Sequence, residues 1–179
     1  MSQDATQLLF ENALQYYVAG RFGFFAQLHP TAAIQLHHAI EFVLKGALAH
    51  LGESTDGKHA IPTLWGRLKA RVKNPDLDKF DRTIADLHKF HGLRYPDSIL
   101  KRGMLSAFNF NRETVGRLVT PLEVPEYELN LNEVDELFGA IFIATNLNPK
   151  FFTTRLNSEA KAYLTRENAA APFGSGKAG

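Results

Sequence analysis

The chain contains no cysteine. That excludes disulfides, thiolate zinc sites and a cysteine nucleophile, and it points to a reducing compartment, so the cytoplasm is the expected location. Tryptophan occurs once and methionine twice. No apolar run approaches the roughly 20 residues a membrane span needs. The opening residues MSQDATQLLFEN carry neither a basic region nor an apolar run, so no signal peptide and no membrane association are expected. There is no Walker phosphate loop, no nucleophile elbow around a serine and no HExxH zinc motif. No cofactor and no metal are expected.

What is present is enough for one domain: 179 residues, 45% hydrophobic, with 14 phenylalanines to fill a core. Net charge is only +1, but it is unevenly spread. Residues 58–102 hold 11 Lys/Arg against 5 Asp/Glu, whereas Glu123, Glu126, Glu128, Glu133, Asp135 and Glu136 follow one another with no basic neighbour. The basic half suits an anionic ligand; equally, the two halves can attract each other within a monomer or across a dimer, or simply be solvated.

Periodicity is helical nearly throughout. Residues 4–19 carry an apolar stripe that Gly20 and Gly23 interrupt. The stretch 31–52, TAAIQLHHAIEFVLKGALAHLG, predicts a central helix, with Thr31 as N-cap and Gly52 just past its end. It is apolar around most of its circumference, apart from a stripe of His37, His38, Glu41 and Lys45. Pro62 suits the first turn of a third helix. A fourth helix opens at Asn74-Pro75-Asp76, with the seam Leu77, Phe80, Ile84, Leu87, then His91 and Arg94. A short helical piece is expected near 98–108 and an extended one at VTPLEVPEYEL. The last long helix has Asn132 as N-cap, and a final piece spans 158–166. The predicted fold is all-α, an antiparallel bundle of four to five helices, with an irregular insertion at 97–130 before the last long helix. One domain is expected over 1–167, followed by a disordered tail at 168–179.

The inward stripe His37, Glu41 and Lys45 and the end of the fourth helix, His91 and Arg94, form one constellation if the two helices are neighbours. Glu41 would then receive Arg94 in a bidentate pair. One reading is a structural ion pair that fixes helix register. The other is a polar crevice in which Lys45, Arg94 and His88 hold an anion while Tyr95 or Trp65 offers a stacking surface. A metal-binding bundle built on His37 or His38, Glu41, His88 and His91 is a third, weaker reading.

The order of these features resembles the HEPN superfamily of small helical domains. The resemblance rests on Glu41 and Lys45 in AIEFVLKG, on His59 followed by IPTLWGRL, and on Arg94-Tyr95-Pro96-Asp97. It covers residues 8–100, with 132–146 as the final bundle helix. It implies a helical bundle, frequent homodimers and a tie to nucleotides or RNA. Many HEPN proteins are metal-independent ribonucleases in toxin–antitoxin or antiviral systems, and others accompany nucleotidyltransferases. An antitoxin or a nucleotidyltransferase is thus the implied protein partner. Nuclease members carry Arg, four to six residues, then His, which Arg82-Thr-Ile-Ala-Asp-Leu-His88 matches. Arg would hold the phosphate and His would move a proton. On a helix, though, the two side chains lie about 120° apart, so a solvated Arg82 stands beside the catalytic one. The candidate catalytic set is Arg82, His88, Arg94 and His91. The candidate nucleotide or RNA set is Lys45, Glu41, His37, Arg94, Tyr95 and Trp65. The competing function is a non-catalytic helical interaction module.

Overall fold

The computed structural model describes residues 3–55, 57, 59–94, 105–110, 126–170 and 172–173. Among these residues six α-helices dominate: α1 Gln3–Phe25, α2 His29–His50, α3 Ile61–Val72, α4 Asp81–Lys89, α5 Leu131–Ala144 and α6 Ser158–Thr165. Turns of 3-10 helix at Pro75–Phe80 and Phe90–Arg94 flank α4, and another at Pro149–Thr153 follows α5. The expected all-α bundle is therefore what forms.

The central helix is central in fact. α2 packs against α1, α3, α4, α5 and the 3-10 turn after α4. Its Leu36, Ile40, Val43, Leu44, Ala47 and Leu48 are all fully buried. Removing that much apolar surface from water outweighs what any one polar contact contributes.

Several expected boundaries move, each for a local reason. α1 runs unbroken through Gly20 and Gly23. These glycines let α2 come close: a Cβ on Gly20 would sit 2.6 Å from Leu36 Cγ, and one on Gly23 would sit 3.2 Å from Ala32 Cβ. Close approach, rather than helix termination, is their role. α2 begins at His29 with Pro30 in its first turn, so Thr31 lies inside the helix and is not the N-cap. Gly52 does leave the helix in the left-handed region, at φ +84°. Asn130, not Asn132, caps α5, its side chain accepting from Glu133 N at 3.3 Å.

The fourth helical segment is a short α-helix between two 3-10 turns. Leu77, Phe80, Ile84 and Leu87 are buried as the seam requires. The change of pitch then hands the next core place to Phe90, and His91 is only half-buried. Within the expected insertion, Leu105–Asn109 and Glu126–Asn130 form a two-stranded parallel sheet, β1 and β2, with Leu105 opposite Glu126 and Asn109 opposite Asn130. Positions 105–108 are thus extended, not helical.

The expected tail is partly docked. Ala170 and Phe173 are buried, and Phe173 lies among Tyr17, Phe138 and Phe142; positions 174–179 lie outside the described residues. A closed ionic network holds the segment down. Arg21 of α1, fully buried, bonds to Asp135 of α5, to the carbonyl of Tyr163 (3.0 Å) and to that of Arg166. Tyr17 donates to the same carboxylate at 2.6 Å, and Asn168 donates to Tyr17 at 3.0 Å. Burial pushes both Asp135 and Tyr17 above their ordinary values, against the pull of Arg21.

No helix among the described residues is long and apolar enough to cross a membrane.

Candidate functional site

Positions four apart on a helix share a face, so His37, Glu41 and Lys45 line one side of α2. Glu preceding Lys by one turn is the favourable order, and Lys45 Nζ donates to Glu41 Oε1 at 2.8 Å. The third partner arrives from outside the helix. After Gly52 the chain reverses, and Arg67 of α3 pins the start of the loop through Glu53 (2.6 Å) and the carbonyl of Ser54 (2.9 Å). The loop then returns His59 to α2, where Nδ1 lies 3.0 Å from Glu41 Oε1 and 3.2 Å from Lys45 Nζ.

Exposure grades steeply across this group. The Glu41 side chain is 9% exposed, Lys45 14% and His59 69%. Burial alone would raise the Glu41 carboxyl, but hydrogen bonds from Lys45 and His59 outweigh it and hold the group below the usual carboxylate range. A buried carboxylate with two donors is therefore an anion at neutral pH.

His37 continues the stripe inward. Its Nδ1 lies 3.0 Å from the carbonyl oxygen of Leu87, tying α2 to α4. A carbonyl only accepts, so Nδ1 carries the hydrogen and Nε2 is a lone-pair acceptor. That Nε2 has no hydrogen-bond partner among the described residues and stands 4.0 Å from Glu41 Oε2. Burial lowers the pKa of His37 to about 4, so the ring is neutral at pH 7. Its centroid lies 5.6 Å from that of His91 and 6.3 Å from that of His88. The inward stripe of α2 and the end of the fourth segment are thus neighbours.

Other expected contacts differ. The partners found for Glu41 are Lys45 and His59. The side chain of Arg94 lies outside the described residues, as do Tyr95, Pro96 and Asp97, and with it the expected Glu41–Arg94 pair. Trp65 is 3% exposed and donates its Nε1–H to Asp81 at 2.7 Å, which makes it a core ring and not a stacking surface. The imidazoles crowd without converging: among the described residues no group of three or more His, Cys, Asp or Glu is placed to hold a metal ion.

Arg82 and His88 turn to different surroundings. Arg82 is 66% exposed and reaches Glu128 of β2 at 3.1 Å and Asp86 at 3.7 Å. His88 is half-buried beside His37 and His91. Thr83, next to Arg82, donates to Glu133 at 2.7 Å, and Lys79 lies 3.5 Å from Glu136. Here the basic and acidic stretches meet within one chain.

The family is decided by comparison of the sequence. A model of the HEPN domain matches residues 6–121. The chain belongs to the HEPN family. The match takes in the α2 stripe, His59 and the Arg82–His88 spacing, and it extends into the stretch read as an insertion while ending before α5. No curated protein and no solved structure matches the chain. Membership makes this a nucleotide- and RNA-related helical module. His59, absent from the expected site set, is the residue that reasoning along the helices missed. Its signal was a histidine in the loop that follows a helix carrying Glu41 and Lys45.

Proposed function

We propose that this HEPN protein binds RNA or a nucleotide on the open side of α2 and cleaves RNA without a metal. The observation that carries the reading is the gathering of Glu41, Lys45 and His59 at the surface end of a stripe that continues inward through His37 to His88 and His91. Ionisable groups on a largely buried helix are costly unless they have a task or a partner, and here His59 brings the group to solvent. Lys45 supplies the cation for a phosphate. Arg94 and Tyr95 stay in the proposal as the sequence candidates for the anion clamp and the stacking ring. A homodimer and a partner such as an antitoxin or nucleotidyltransferase belong to the same proposal.

The test is titration of a fluorescent single-stranded RNA with the full chain in EDTA, read by anisotropy at two salt concentrations. Binding that weakens as salt rises supports the reading, because phosphate contacts release counterions. Absence of binding at low salt overturns it. The second reading, a non-catalytic interaction module, draws on Phe151 and Ile143, which are 65% and 62% exposed. Exposed apolar side chains favour a protein partner where they join into one contiguous patch.

A further inference from the structure

We infer that His59 is the proton-transfer residue of this site and that Glu41 positions it, with the 2′-hydroxyl of an RNA strand as the group that gives up the proton. The inference rests on the RNA reading above and assigns its chemistry to a residue outside the Arg82–His88 spacing.

The argument begins with what each atom can do. A carboxylate only accepts, so the 3.0 Å contact between Glu41 Oε1 and His59 Nδ1 places a hydrogen on Nδ1. Lys45 Nζ also lies 3.2 Å from Nδ1, but its shorter bond, 2.8 Å, goes to the same carboxylate oxygen. The Nδ1–H tautomer therefore satisfies Glu41, Lys45 donates to the same carboxylate and not to the ring, and Nε2 carries the lone pair. Glu41 cannot easily turn away, because its side chain is 9% exposed and Lys45 holds it from one helical turn on. The imidazole itself is 69% exposed, which puts it within reach of a bulky polymer. A fixed carboxylate behind an accessible imidazole is the arrangement that sets tautomer and orientation and stabilises the imidazolium once it forms.

Neither His37 nor His88 has these properties. His37 is 1% exposed and its ring is held by Leu87. His88 is half-buried, and its Nδ1 has no hydrogen-bond partner among the described residues. Among the described residues no carboxylate stands behind either ring at hydrogen-bond distance.

The reaction balances without a metal. His59 Nε2 takes the 2′-hydroxyl proton as the 2′-oxygen bonds to the adjacent phosphorus. The bond from phosphorus to the 5′-oxygen breaks, and the leaving oxygen takes a proton from water. The products are a 2′,3′-cyclic phosphate and a 5′-hydroxyl end, and His59 later returns its proton to solvent. Lys45, 3.2 Å from the ring, is the adjacent positive charge for the phosphate oxygens.

The experiment uses the full chain, EDTA and an end-labelled RNA, with cleavage and anisotropy measured on the same samples. Wild type is expected to leave 2′,3′-cyclic phosphate ends. His59→Ala, a change at an exposed position, should lower the cleavage rate by about 100-fold or more while RNA affinity stays within about threefold. Glu41→Gln should move the acidic limb of the pH–rate profile, which a merely structural acid would not do. RNA that is bound but cut equally by wild type and His59→Ala, or not cut at all, overturns the inference and leaves the RNA-binding reading standing. If wild type binds no RNA, both fall.

Discussion

Two ionic networks in this molecule invite comparison, because both centre on a buried carboxylate and only one opens to solvent. Around Asp135, Arg21 is fully buried and each of its three guanidinium nitrogens is bonded to protein. Tyr17 and the amide of Ala169 take further positions on the same carboxylate, the latter at 3.4 Å. Around Glu41, the partners are Lys45 and a histidine that is mostly exposed. The closed network ties α1, α5 and the C-terminal segment together across more than a hundred residues of sequence. The open one spans 18 residues and presents its outermost member to solvent. Burial of a charge thus specifies architecture in the closed network, and in the proposed function it holds a reactive group in place in the open one.

The largest effect expected of that contrast lies on the closed side. Asp135→Ala leaves the Arg21 charge buried without its carboxylate and should cost about 3–5 kcal/mol in urea unfolding. A loss under about 1 kcal/mol would show that the two networks are not distinct in kind. The next effect is one of pH. His37 takes up a proton at about pH 4 in the fold and near 6.5 when unfolded. Between those values the unfolded chain binds one more proton, so stability rises with pH from about 4 to 6.5 and is level above. Glu41, held below its ordinary range, acts in the same direction, since its contribution is lost as acid protonates it. The His37 shift alone corresponds to about 3 kcal/mol, and denaturation series at pH 7, 5.5 and 4.5 should show the decline. A flat series would mean that His37 is not buried as a neutral ring.

The smallest effect belongs to Arg82. Its pairs with Glu128 and Asp86 lie at the surface, so Arg82→Ala should change stability by less than about 1 kcal/mol. Melting curves check this, and a drop several times larger would place Arg82 among the architectural charges.

The sequence made the helices legible because apolar spacing reports burial directly: the seam from Leu77 to Leu87 and the buried face of α5, Val134 to Phe142, stand where periodicity put them. It misled at Gly20 and Gly23, since a glycine that breaks a helix and one that admits a neighbour look alike without the partner helix. The extended piece expected at VTPLEVPEYEL ends in β2, but its pairing with β1 was illegible, because parallel strands are joined through non-local contacts that leave no turn signature. Arg21 with Asp135 was hidden for the same reason, their pairing bridging 114 positions. The polar stripe of α2 was read correctly as needing a partner, and the turn carrying His91 does pack beside it. That His59 would supply the contact to Glu41 depended on the path of a loop, which residue spacing does not encode.

The central claim is that nucleic acid meets the protein at α2 and not at the exposed face of α4. Anisotropy titration of one RNA against Lys45→Gln and Arg82→Gln, both confirmed folded by circular dichroism, tests it most directly. The account predicts that Lys45→Gln weakens binding by about tenfold, roughly 1.4 kcal/mol, while Arg82→Gln stays within about twofold of wild type. A loss confined to Arg82→Gln, with Lys45→Gln binding like wild type, would contradict it.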